Sequence, residues 1–217
     1  MLLAVLPVTA ASNRANGQSP PPDTSFSYKF ENRRFYIPLI QIDIGTDGKG
    51  QLHFTRGESD DVIDRNFKIL SSTVDRINRL VAASAFLTSK EEYQAKKDFS
   101  HLGWMTITVR QGEQERTVRF NYTTNADISE LADIFRGIAT QEIDLFDIEL
   151  AVQHQPLDVP RLLDALESDL RLDRVAEPEQ LIGRLRELGS DDTMPLIGRN
   201  HANRMIKDIE KGKYRRK

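Results

Sequence analysis

Phe35-Tyr-Ile-Pro-Leu-Ile-Gln-Ile-Asp-Ile44 runs into Gly45-Thr-Asp-Gly-Lys-Gly50 and then Gln51-Leu-His-Phe-Thr-Arg56, and these stretches decide the fold class. Ile40, Ile42 and Ile44 alternate with Gln41 and Asp43, the period of a half-buried strand. The return strand offers Leu52 and Phe54. Pairing Ile42 with Leu52 and Ile40 with Phe54 keeps both apolar sets on one face; a one-residue slip sets His53 opposite Ile42 and turns Leu52 outward. The spacing predicts a hairpin closed by a loop of about five residues built on Asp47-Gly48. Pro38, which lacks a donor N–H, belongs at the strand start or on an edge.

Downstream, Val62, Ile63, Phe67, Leu70, Val74, Ile77 and Val81 recur at three- and four-residue steps and predict a helix. Ser59 or Asp60 would cap it, with Asp61 and Asp64 meeting the dipole and Arg65 on the solvated side. Lys90 to Ser100 reads as a charged connector. A second hairpin follows: Met105, Ile107 and Val109 can face Val118, Phe120 and Tyr122 across Gly112-Glu-Gln-Glu115. A helix then opens at Asp127, three residues before Glu130 as in a capping box. The repeated order of strand, strand, helix hints at internal duplication. The fold class is α+β: two β-hairpin-plus-helix units, an antiparallel sheet with helices on one face, then a small C-terminal helical group.

Gln141 to Gln153 fits neither period and is read as continued helix, with a strand as the alternative. Runs at Leu162–Leu170, Leu181–Leu188 and Ile197–Ile209, with Pro160, Pro178 and Pro195 near their starts, predict the helical group. It resembles one unit of an α-solenoid. The organisation is therefore residues 1–25 as signal remnant and linker, 26–153 as an α+β domain, and 156–217 as a helical region with a basic tail.

Bulk composition removes several function classes. The 217 residues carry a net charge of −3, so no nucleic-acid partner is expected. Cysteine is absent, which excludes disulfides, thiolate metal sites and cysteine nucleophiles. The apolar run Leu2 to Val8 is too short to span a bilayer, so no transmembrane segment is expected there. With Val8 and Ala10 it matches the end of a secretory signal cleaved after Ala10, which points to an extracytoplasmic (periplasmic or secreted) protein. The positive n-region of such a signal is missing.

Candidate chemistry is sparse. Asp43-Ile-Gly-Thr-Asp-Gly48 departs from a calcium loop at Gly45 and Phe54, and its flanks are strands, so a turn is the better reading. His53, His101, His154 and His201 make no metal-binding spacing, and no Walker, GxSxG or GxGxxG motif occurs. No metal and no cofactor is expected. Asp43 and His53 fall on the outer sheet face; with Arg56 they are the residues from which a hydrolase site would have to assemble. Arg199-Asn-His-Ala-Asn-Arg204 is the densest group of donors, and Arg199, Asn200, His201 and Arg204 form the candidate anion site. Trp104 is a core lid or a stacking platform.

Charge is unevenly spread. Acidic residues dominate 127–169, including Asp144, Asp147 and Glu149, while Lys207, Lys211, Lys213, Arg215, Arg216 and Lys217 close the chain. The tail could dock on the acidic segment or meet an anionic partner. The leading expectation is a non-catalytic binding module outside the cytoplasm, acting through the outer sheet face or the tail. Its partner would be a protein or an anionic envelope component. A hydrolase, or a basic-tailed binder of anionic lipid or cell-wall polymer, is the alternative.

Overall fold

Alternation along Leu39–Gly45 and Lys49–Phe54 buries Ile42, Ile44, Leu52 and Phe54, and pairs Ile42 with Leu52 and Ile40 with Phe54, the register that the apolar pattern requires. These are β2 (Leu39–Gly45) and β3 (Lys49–Phe54) of a computed structural model that describes residues 24–57, 59 and 61–214. The remaining elements are β1 (Thr24–Glu31), β4 (Ile63–Lys68), α1 (Ser71–Ala83), β5 (Trp104–Gln111), β6 (Gln114–Phe120), α2 (Ala126–His154), α3 (Val159–Arg171), α4 (Leu181–Ser190) and α5 (Leu196–Glu210). The strands form one antiparallel sheet in the order β4-β3-β2-β1-β5-β6. The export reading, which rests on residues 1–10, lies outside the described residues, as do Asp60 and the last three basic residues of the tail.

The class is α+β with a C-terminal helical group, but the sheet has two strands more than the hairpins supply. One is β1, which pairs with β2 on one side and β5 on the other and so joins the two hairpins. Phe26 and Tyr28 alternate inward along it, and it begins at Thr24, two residues before the expected start of the fold. The other is β4, which overturns the expected helix start at Ser59 or Asp60. Ile63 and Phe67, four apart, satisfy a strand as well as a helix; what decides is the partner strand. Phe67 opposes Gly50, and a Cβ on Gly50 would lie 2.3 Å from its ring, so the glycine makes room for β4. The asp-gly turn stands as read: Gly48 has φ 75°, its N–H donates to Gly45 O at 3.0 Å, and Asp47 Oδ1 accepts from Lys49 N at 3.0 Å.

Helix α1 thus begins at Ser71, without a side-chain cap of its own. Its cap comes from the far side of the chain: Glu177 Oε1 accepts from Leu70 N at 2.8 Å. Helix α2 is capped by Asn125, which accepts from Ile128 N at 3.1 Å, and not by Asp127. It is 29 residues long, which makes it about 44 Å. Its N-terminal half lies on the sheet, where Phe135 stacks on Tyr28 with ring centroids 5.4 Å apart. Its C-terminal part, from Ile148, enters a second core with Leu163, Leu166, Leu185, Ala202 and Met205 of the tail helices. Burial by two different neighbours erases a single periodic face, which is why Gln141 to Gln153 fits no period.

Candidate functional site

The donor group on α5 is brought to a carboxylate that belongs to the chain itself. A little less than one helical turn separates His201 from Arg204, so both project toward α3, where Glu167 is buried with its side chain 5% exposed. His201 Nε2 lies 2.9 Å from Glu167 Oε2, and Arg204 donates to the same oxygen at 3.3 Å. Arg171 and the Tyr214 hydroxyl donate to Oε1 at 2.6 and 3.1 Å. Burial alone would push the Glu167 carboxyl up; the donors His201, Tyr214 and Arg171 outweigh it and hold it at about 2. Arg199 sits two residues from His201, on the opposite side of the helix, and pairs with Asp192. Asn200 lines a cleft of about 430 Å³ between α3 and α5, with Pro160, Asp164, Leu196 and Ile197.

Asp164, Glu167 and His201 offer ligand atoms within 4.8 Å of one another, which raises the question of a cation. The donor chemistry argues against one. His201 turns Nδ1 to Asp164 at 3.3 Å and Nε2 to Glu167, so its two nitrogens serve different carboxylates. Both Glu167 oxygens already hold two donors each, two of them from guanidinium groups that would repel a metal ion.

On the outer sheet face, Asp43 and His53 are diagonal neighbours and do not meet. His53 Nδ1 lies 2.6 Å from Asp64 Oδ1 of β4, and Asp43 accepts from Gln41 at 3.0 Å. Arg56 leaves that face altogether: it pairs with Asp147 at 2.7 Å and lies over the rings of Phe54 and Phe146. Arg65, expected in solvent, points inward and bridges Glu142 at 2.8 Å and Glu149 at 2.7 Å. Among the described residues, the acids in the second half of α2 (Glu142, Asp147 and Glu149) are therefore met by Arg56 and Arg65 from the β3–β4 side and not by the tail. Asp144 is the exception: burial, then the charges of Asp169 and Asp147, push its carboxyl up to about 7, and its Oδ2 has no hydrogen-bond partner among the described residues.

A third place was not visible in the sequence. The loops that close one end of the sheet expose Phe35, Tyr36, Leu102 and Tyr122, with Tyr36 at 71%. Tyr122 is expected to face inward with Phe120, but β6 ends at Phe120; Asn121 is then buried and Tyr122 turns out. Phe35 and Tyr36 precede the strand because Pro38 delays its start to Leu39. These loops are tied together. Asn32 Nδ2 donates to His101 O at 3.1 Å, Gly57 N donates to Tyr36 O at 2.7 Å, and Phe99 packs on Tyr122 with ring centroids 4.8 Å apart. Trp104 stands at the same end on the outer face, with the Arg119 guanidinium 4.5 Å from its ring.

No helix among the described residues is long and apolar enough to cross a membrane. No protein-family model matches the chain, and no curated protein matches it in sequence.

Proposed function

We propose that this protein is a non-catalytic binding module, exported from the cytoplasm, whose contact surface is the loop end of the sheet. The observation that carries this reading is the set of exposed large apolar side chains, Phe35, Tyr36, Leu102 and Tyr122, gathered from three loops onto one end of a rigid sheet. Isolated exposed apolar residues are ordinary; a tethered group of them marks an interaction site. The catalytic alternative loses its support because Asp43, His53 and Arg56 do not share a site.

The test uses the full chain as bait in native extract beside a variant with Phe35, Tyr36, Leu102 and Tyr122 changed to Ser. A second variant carries Asp43→Asn and His53→Gln on the outer face. Capture should be lost with the first and kept with the second. Equal capture by parent and loop variant would place the contact elsewhere. Export is supported by the Leu2–Ala10 pattern. Protein purified from its native source should begin at Ala11, and an intact Met1 would refute cleavage there.

A further inference from the structure

We infer that the partner of this loop end is an anionic membrane surface, with Phe35, Tyr36, Leu102 and Tyr122 entering the headgroup region and a flanking set of basic side chains meeting the lipid phosphates. The inference rests on the binding-module reading and adds the chemistry of the partner. The basic set is Arg33 and Arg34 beside the aromatic pair, Lys96 and Lys97 on the segment that leads to Leu102, and Arg119 near the end of β6. Among the described residues none of the five has an ion-pair partner; Lys97 lies over the Phe99 ring at 4.9 Å, and Arg119 over Trp104.

Two nearby acids have partners inside the fold, and of these Glu31 is offset by a cation while Asp98 keeps its charge. Glu31 is paired with Lys29 at 2.8 Å, and Asp98 accepts from Ser100 N at 2.8 Å and from Asn121 Nδ2 at 2.7 Å. The acids Asp61 and Asp64 lie on the β3–β4 side, so positive charge is concentrated from β1 toward β6. In a chain of net charge −3 this is a local reversal of sign.

Aromatic rings with polar tips and an aliphatic side chain, set among basic residues, are what a membrane interface favours. A nucleic acid would use the rings for stacking and the arginines for phosphate, but would leave Leu102 without a role. The tail is the weaker basic surface within the described residues. Arg199, Arg204 and Lys213 are committed to Asp192, Glu167 and Asp208.

The experiment is sedimentation of the full chain with vesicles of phosphatidylcholine containing phosphatidylglycerol, against phosphatidylcholine alone. Trp104, the single tryptophan, serves as a fluorescent reporter at the loop end. Binding should require phosphatidylglycerol, weaken with added salt, and protect Trp104 from iodide. Arg33→Gln with Arg34→Gln should weaken it roughly thirtyfold, since each basic residue near an anionic surface contributes on the order of 1 kcal/mol. Tyr36→Ser with Leu102→Ser should weaken it as well, whereas Lys207, Lys211 and Lys213 changed to Gln should not. All five arginine and lysine changes are at exposed positions, and a thermal melt of each variant checks folding.

No binding to the anionic vesicles, or loss with the tail variant alone, would overturn the inference. So would tighter binding to a single-stranded oligonucleotide than to the vesicles. The extract assay separates the two readings. If the serine variant loses a captured protein while vesicles bind nothing, the module stands and the membrane falls. If it loses nothing and vesicles bind nothing, both fall.

Discussion

Glu167 concentrates most of the polar organisation of the helical tail in one side chain. Its carboxyl is held at about 2 against an ordinary 4.5, so it contributes stability that is fully present above about 4.5 and is lost as pH falls toward 2. Glu167→Gln should therefore cost about 3 kcal/mol near neutrality, and its difference from the parent should vanish in urea melts at about pH 2. Asp144 works in the opposite sense. Its folded value lies above the ordinary 3.8, so folding disfavours the ionised form, with no penalty below 3.8 and the full penalty above about 7. Asp144→Asn should raise the melting temperature above pH 7, by a gain on the order of 2 kcal/mol, and leave it unchanged below about pH 4. The donors on α5 were legible as a cluster because they are neighbours in sequence. Their anion was not, because Glu167 is one acid among many in a charged run and only the packing of α3 on α5 selects it.

Among the elements, the hairpin of β2 and β3 was readable to the register because every apolar residue in it obeys one period and one face. Strand β4 was not, because Ile63, Phe67 and Leu70 fit a helical step and Arg65 reads as solvated. Its inward guanidinium depends on Glu142 and Glu149, which lie more than 70 residues away in the chain. The same remoteness hid the cap of α1. Glu177 is buried, with a carboxyl that burial raises; it receives Leu70 N, while its own N–H donates to Gln141 Oε1 at 3.0 Å. Glu177→Ala should cost about 1–2 kcal/mol, the usual worth of a helix cap, and should speed amide exchange in the first turn of α1 more than in α5. Uniform exchange across both helices would show that the contact does not act as a cap.

For the whole molecule, the class and the order of the helices were legible, and the centre of the sheet was not. Strand β1 follows directly on a proline-rich stretch, and its alternating Phe26, Tyr28 and Phe30 are too few to announce an interior strand without the neighbours that cover them. A chain that starts at Thr24 should melt with the parent, whereas one that starts at Asn32 should give no cooperative transition, because it lacks the strand shared by both halves. That central position also imposes an order on biosynthesis. Strand β1 emerges first and can take β2 as a neighbour at once, but the bonds that pair Thr24 with Gln111 and Ser25 with Arg110 wait until β5 has been made. Until then the nascent chain carries an unsealed strand edge beside Phe26 and Tyr28. A contact so distant in sequence slows folding and leaves that edge open to other chains. The half-made protein is thus the species most in need of a chaperone, and overexpression that outpaces chaperone supply should drive it into inclusion bodies.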